Sequence, residues 1–217
     1  MTSTRAVVLE QPERLGLHDL DLATPQDDDV VVDVEWSGIS TGTEKLLYTG
    51  RMPTFPGMGY PLVPGYESVG RISEAGPTSG HHVGERVFVP GARCFGGVRG
   101  LFGAAASRLV VPGQRAISVS DELGEHAVLL ALAATAYHAV AGGGRVDPIT
   151  PPELIVGHGV LGRLLARMTV LAGYAPPIVW EICAERRGGA EGYPVVHPDE
   201  DERRDYKSIY DVSGDAG

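Results

Sequence analysis

At 217 residues the chain is long enough to bury one large domain or two modest ones, and 43% hydrophobic with 21% charged residues is ordinary globular composition. Lys+Arg 18 against Asp+Glu 28 leaves a net charge of -10, which disfavours a nucleic-acid partner and electrostatic docking on anionic lipid. The start lacks the order of a secretory signal, and the longest apolar run, 127–142, falls short of the roughly 20 residues of a spanning helix. The expectation is a soluble protein in a reducing compartment, without a transmembrane segment and with no metal-ligand pair in Cys94 and Cys183.

From residue 6 to about 119 short β-like runs alternate with Gly, Pro and Asp: AVVLE, LGLHDLDL, VVVDVEWSGI, SVGRISEA, ERVFVP, SRLVV and AISV. Such texture predicts a small antiparallel barrel or sandwich. In VVVDVEW, Val32, Val34 and Trp36 share one face and Asp33 and Glu35 the other, the pattern of a half-buried strand. Ser120 or Asp121 then caps a predicted helix, EHAVLLALAATAYHAV, which the glycines 142–144 end, and RVDPITPPE follows as a linker. This divides the chain into residues 1–119, a connecting helix and linker over 120–152, and 153–217.

Beyond 153 the order is strand (ELIVG), helix (about 160–173), strand (PIVWEI), helix (about 184–191), short strand (PVVHP) and strand (KSIYDVSG). That alternation is how a parallel α/β sheet is written. DEDERRD, 199–205, reads as a solvated connection.

The first strand–helix junction carries LIVGHGVLG. Gly157 permits a tight turn, Gly159 lets the backbone approach a pyrophosphate, and Gly162 lets the helix pack on the strand. Val160 and Leu161 open that helix, where unpaired N–H groups face phosphates. Glu181 ends the next strand, 24 residues after Gly157, near the spacing at which a carboxylate meets the adenosine ribose. A carboxylate there favours NAD over NADP; Arg186 and Arg187, just beyond, either soften that preference or form a solvated helix face.

A β-rich first half joined through a helix to a dinucleotide fold resembles the medium-chain dehydrogenase/reductase superfamily. The words that carry the resemblance are VVVDVEWSGIS, PLVPGYESVGRI, GERVFVPG and ATAYHAV. The resemblance implies a GroES-like β-barrel-type domain followed by a Rossmann domain. In zinc-dependent members the matching segments supply two cysteines and a histidine. Here those positions hold Ser40, Tyr66 and Ala131, a donor set unsuited to zinc, and the region of the structural zinc lobe has only Cys94. The adjacent His81 and His82 do not suit a shared tetrahedral site. The long words SGISTGTE, GRMPTFPGMGYPLVPGYESVG and VFVPGARCFGGVRGLFG are similar to a zinc-free branch that oxidises the 3-(1-hydroxyethyl) group of a bacteriochlorophyllide to 3-acetyl with NAD, in bacteriochlorophyll biosynthesis.

For that chemistry the resemblance makes Tyr66 the first candidate to contact the alcohol oxygen, or a residue that fills the space a metal leaves. Ser40 and Thr43 are candidates to relay the proton, with Ser40 as a plain turn residue the bland alternative. Glu67, and Glu44 near its own turn, are read as orienting neighbours, Thr135 as lying near the nicotinamide, and His138 as a satisfied core histidine. Met52, Phe55, Met58 and Tyr60 offer an apolar surface for a flat tetrapyrrole, or else cap the barrel; Arg51 or Arg93 is available to a propionate. A whole domain of this type has six strands in the order 3-2-1-4-5-6. The sequence reaches only the fourth, so the Rossmann domain is expected to be incomplete, with weak NAD affinity and little turnover in residues 1–217 alone. The superfamily's dimers pair through the sixth strand, which implies a homodimer for a full-length enzyme, and the location implied is cytoplasmic or peripheral to photosynthetic membranes. The alternatives are a zinc-free NADPH quinone or enoyl reductase on the same scaffold, and a non-catalytic tetrapyrrole-binding module.

Overall fold

The computed structural model describes residues 3–141 and 150–214, so glycines 142–144 and most of the expected linker lie outside the described residues. The chain divides into two compact units, 1–131 and 132–217.

In the first unit β1 (Ser3–Gln11), β2 (Arg14–Asp21), β4 (Leu62–Val63) and β7 (Arg99–Gly100) form a sheet in the order β2-β1-β4-β7. β3 (Asp29–Ser37), β5 (Ser68–Ala75), β6 (Arg86–Val89), β8 (Arg108–Pro112) and β9 (Ile117–Ser118) form a second, in the order β8-β3-β5-β6-β9. Every pairing is antiparallel except β4 with β7. The core is aliphatic, with Val30, Val32, Ile72, Val87, Val89 and Leu109 all at most 1% exposed. Each such side chain contributes about 1.5–3 kcal/mol on burial.

The simple alternation expected of β3 does not hold. Val30, Val31 and Val32 are all buried, whereas Trp36 is 52% exposed. The register against β5 shifts twice: after Val31 the extra residue is Ser73 on β5, and after Val34 it is Glu35 on β3, which turns Trp36 off the face expected of it. Glu35, at the second shift, accepts from Arg71 Nε at 3.0 Å and from Arg86 Nε at 3.1 Å. Buried Arg86 also donates to the carbonyls of Ser120 (3.2 Å) and Gly124 (2.7 Å), tying the segment after β9 onto the barrel.

Ser120 caps that segment, its hydroxyl accepting from the Glu122 N–H at 3.2 Å. The continuous helix predicted from here is broken. Residues 121–129 wind as 3₁₀ turns with Gly124 at φ 50°, and the α-helix proper, α2, is Leu130–Val140. Asp121–Val140 reaches a mean hydropathy of 1.2 over a length that a membrane span needs, yet its α-helical part is 11 residues, about 16 Å of rise against about 30 Å of hydrocarbon. His138, expected in a core, is exposed on α2; Ala136 and Val140 are the residues that turn inward.

In the second unit β10 (Leu154–Val156), β11 (Ile178–Trp180), β12 (Val195–Val196) and β13 (Ile209–Asp211) are parallel, in the order β12-β11-β10-β13. This is the 3-2-1-4 arrangement of a doubly wound sheet. Helix α3 (Val160–Leu171) buries Gly162, Leu165, Ala166 and Thr169, the i, i+3, i+4, i+7 spacing of one face. The second predicted helix is a single 3₁₀ turn, Ala184–Arg186; glycines 188 and 189, the latter at φ 75°, stop its growth. The acidic connection is not merely solvated either. Asp201 is buried, accepts from Trp180 Nε1 at 2.7 Å and from the Tyr206 hydroxyl, and so staples the connection to the end of β11. Burial, then that carboxylate, pushes the Tyr206 hydroxyl up to about 12.

Candidate active site

The glycine turn is built as its spacing predicts. Gly157 sits at φ 102°, and a Cβ there would lie 2.9 Å from Ser213 Cα, so the turn after β10 admits no side chain. A Cβ on Gly162 would overlap the Gly157 carbonyl oxygen, which fixes how closely α3 approaches the strand. Gly159 differs, because nothing lies within 4 Å of where its Cβ would stand. It is the N-cap of α3 and offers no side-chain cap, so the first N–H groups of a 12-residue helix point outward beside exposed Gly159 and Val160. Leu161 instead packs into the unit's core. An uncapped helix start with room at its middle glycine fits a dinucleotide pyrophosphate.

Glu181 follows β11 and is 6% exposed. Its carboxylate accepts from the His158 N–H and from the Cys183 N–H, each at 2.9 Å, and thereby links the glycine turn to the loop beyond β11. Burial works to raise its pKa, but those two backbone donors outweigh burial and hold the group below the usual carboxylate range. The residue stays ionised, with lone pairs left for ribose hydroxyls.

His158, between the first two glycines, is not among the expected site residues. It is buried, with Nδ1 2.6 Å from the Arg186 carbonyl and Nε2 2.9 Å from the Tyr193 hydroxyl. The carbonyl can only accept, so Nδ1 carries the hydrogen and Nε2 receives the one from Tyr193. Burial lowers the pKa of the ring and keeps it neutral. Arg163 donates to the carbonyls of His158 (3.2 Å) and Arg186 (2.9 Å), closing the frame. Arg186 thus serves the turn through its backbone, while the Arg187 side chain reaches the Ile182 carbonyl at 3.3 Å and Glu200 at 3.9 Å. After β13, Asp211 accepts from the Ser213 N–H (2.9 Å) and hydroxyl (2.8 Å), which shapes the D-x-x-G loop. Thr135 lies exposed on α2.

A separate polar cluster belongs to the first unit. Helix α1 (Thr43–Tyr48) and the strand end at Ser37 to Ser40 bring together Ser40, Thr43, Glu44, Tyr66 and Glu67. Ser40 accepts from the Thr43 N–H at 3.4 Å, and the Thr43 hydroxyl lies 3.5 Å from that of Tyr66. Tyr66 is half-buried and packs edge-on against Phe102, ring centroids 5.5 Å apart. The Glu67 carbonyl accepts from the Gly38 N–H at 2.7 Å, and its side chain occupies the space that a Cβ on Gly38 would need. Glu67 is 3% exposed; its Oε1, like Glu44 Oε2, is buried without a hydrogen-bond partner. Burial raises both carboxyls, Glu44 to about 7, with the nearby charge of Glu67 adding to the effect on Glu44.

An open cavity of about 720 Å³ adjoins this cluster, with Gly38, Ser40, Thr41 and Glu44 in its wall beside apolar Val7 and Leu17. Met52, Phe55, Met58 and Tyr60 are elsewhere. They pack, partly buried, on Leu9, Leu47, Leu62 and Leu101, and the Tyr60 hydroxyl donates to the Leu47 carbonyl. Their arrangement is that of a satellite core under the loop. His81 and His82 both turn to Glu85, with Nδ1 atoms 3.1 and 3.2 Å from its carboxylate, and His81 Nε2 is satisfied by the Gly113 carbonyl at 3.0 Å. Among the described residues no three His, Cys, Asp or Glu side chains gather as a metal site. Ser40 and Tyr66, two of the positions that match zinc ligands in the zinc-dependent members, hold hydroxyl donors near two carboxyls, a set suited to moving a proton.

Residues 26–121 match the Alcohol dehydrogenase GroES-like domain family. Along 217 residues, 98% of this chain and 67% of the relative, it is 58% identical to a 2-desacetyl-2-hydroxyethyl bacteriochlorophyllide A dehydrogenase of Cereibacter sphaeroides. The chain belongs to the medium-chain dehydrogenase/reductases. A second member carrying the same name, from Rhodobacter capsulatus, is 54% identical over 99% of the chain and 67% of its own length. Among solved members, a protein of Sinorhizobium meliloti 1021 described as a zinc-binding dehydrogenase, with NADP bound, superposes with a TM-score of 0.73 at 25% identity, covering 93% of this chain and 64% of its own. The GroES-like barrel and the parallel 3-2-1-4 sheet are therefore the two halves of this superfamily's architecture.

Proposed function

We propose that the protein oxidises the 3-(1-hydroxyethyl) group of a bacteriochlorophyllide to 3-acetyl, with NAD as electron acceptor. The observation that carries this reading is the 58% identity, sustained over 217 residues, to a dehydrogenase named for that substrate. The relatives are named dehydrogenases, which leaves the quinone or enoyl reductase alternative without support.

When bound, the dinucleotide supplies a nicotinamide that accepts hydride. The chain's own part begins at the glycine turn, where the α3 N–H groups hold the pyrophosphate. Glu181 selects NAD, since a buried anion at the ribose accepts from its hydroxyls and repels a 2′-phosphate. In the first unit Tyr66 and Ser40 hold the alcohol oxygen by hydrogen bonds, and Thr43 fixes the Tyr66 hydroxyl. These groups do the work that a metal does in zinc-dependent relatives. The substrate helps, because the conjugated macrocycle next to the carbinol carbon stabilises positive character as hydride leaves.

The test is incubation of the full-length enzyme with the hydroxyethyl pigment and NAD. The expected result is one 3-acetyl product per NADH formed, with NADP supporting the reaction at least about tenfold less well at equal concentration. Pigment binding with no NADH would favour a non-catalytic carrier and end the proposal.

A further inference from the structure

The paired carboxyls of the first unit go beyond what holding an alcohol requires. Glu67 is 3% exposed and its Oε1 has no partner; one oxygen of Glu44 is equally buried and unpartnered. An isolated carboxylate in such surroundings is costly, and two that feel one another hold a proton between them more readily than they both ionise. The Glu44 N–H donates to the Ser40 carbonyl at 3.0 Å, and Ser40 shares the cavity wall with Glu44. Glu44 also lines the open cavity, so a proton that it takes up has a way out to solvent.

We propose that Glu44 is the proton acceptor of the oxidation, reached through the Ser40 hydroxyl, with buried Glu67 as the residue that keeps it poised. This rests on the alcohol-oxidation reading above. The alcohol O–H bond breaks and its electron pair becomes the second bond of the ketone. The proton passes to Ser40 Oγ as the Ser40 hydrogen moves to the Glu44 carboxylate. The C–H hydrogen leaves with its electron pair as hydride to the oxidised nicotinamide. One alcohol and one oxidised dinucleotide thus give one ketone, one reduced dinucleotide and one proton, which Glu44 releases to the cavity.

A group with its pKa near 7 is matched to such a task at neutral pH. Around Glu44 the charged neighbour is Glu67, while Ser40 and the backbone N–H groups of the turn favour the ionised form. Lys45, next in α1, and Arg5 of β1 line the same cavity.

The experiment is the pH dependence of kcat/KM for pigment oxidation in wild type, Glu44→Gln and Glu67→Gln, paired with infrared titration of the carboxyl band without substrate. Wild type should gain activity as pH rises through about 7 and then level off. Glu44→Gln should lose about 10²–10³-fold and the inflection with it. Glu67→Gln should move the inflection to lower pH, because the like charge is gone; a purely structural role for Glu67 would lower activity without moving it. In the infrared arm a protonated carboxyl band should vanish between roughly pH 6 and 8 in wild type and be absent from Glu44→Gln. A Glu44→Gln enzyme within threefold of wild type overturns the proposal, as does a wild type with no carboxyl titrating in that window. If wild type turns over no pigment while the band still titrates, the oxidation reading falls and the acceptor role of Glu44 falls with it, leaving only a carboxyl that titrates in that window.

Discussion

Replacing Gly162 with alanine is expected to destabilise the protein by about 2–4 kcal/mol and to weaken dinucleotide binding at least tenfold, measured by denaturant unfolding and by titration with NADH. The sign is diagnostic. Alanine for glycine inside a helix ordinarily stabilises by about 1 kcal/mol, because the unfolded chain loses freedom. Here the new Cβ would overlap the Gly157 carbonyl oxygen, so α3 has to lift from the turn or the turn has to open. Either movement displaces the N–H groups that face the pyrophosphate. Gly159→Ala makes the comparison. Nothing protein lies within 4 Å of its Cβ, so stability should change by less than about 1 kcal/mol while affinity still drops, the methyl standing where the backbone has to meet phosphate. If both variants kept wild-type affinity, the turn would not be a phosphate cradle.

Glu181→Ala is expected to cost about 2–4 kcal/mol and most of the dinucleotide affinity. The carboxylate satisfies two backbone donors, His158 N–H and Cys183 N–H, and a buried donor left unpaired costs about 1–3 kcal/mol. Glu181→Gln should fall between the two, since its amide accepts from one donor and turns an NH₂ toward the other. The same group predicts a pH dependence. Its folded pKa lies below the unfolded value of 4.5, so its contribution is complete above about 4.5 and is lost as pH falls through the lower folded value. Acid unfolding of wild type should be steeper below about pH 4.5 than that of Glu181→Ala. Glu44 acts with the opposite sign. Its raised pKa means the folded state retains a proton that the unfolded chain releases, so its contribution declines from about 4.5 to about 7 as pH rises.

The parts of the fold that were legible rest on local rules. The turn glycines, the alternation of strand and helix beyond 153, and the N-cap at Ser120 each reflect a constraint that a few adjacent residues impose. What was not legible depends on contacts distant in sequence. The bulges between β3 and β5 join segments some 40 residues apart, and no window around Val32 contains them. Residues 184–191 have a helix-compatible composition, yet two glycines stop it after one turn. Asp201 looked like one more surface acid until Trp180 and Tyr206 came to it. At the site, Ser40 and Tyr66 were found by their match to ligand positions and Thr43 as a candidate relay beside Ser40, and the structure brings them together with Glu67. Glu44 was given only a bystander's role, because burial next to a second carboxyl is invisible in SGISTGTE. His158 had one available signal, a large polar side chain between two glycines, which only a prepared recess accepts.

The most direct measurement of the account is the fate of deuterium placed on the carbinol carbon of the hydroxyethyl pigment. Hydride transfer to a dinucleotide held at the glycine turn predicts that the label appears on the nicotinamide ring of NADH, one atom per acetyl group formed. Label recovered in water, or retained in the product, would contradict it.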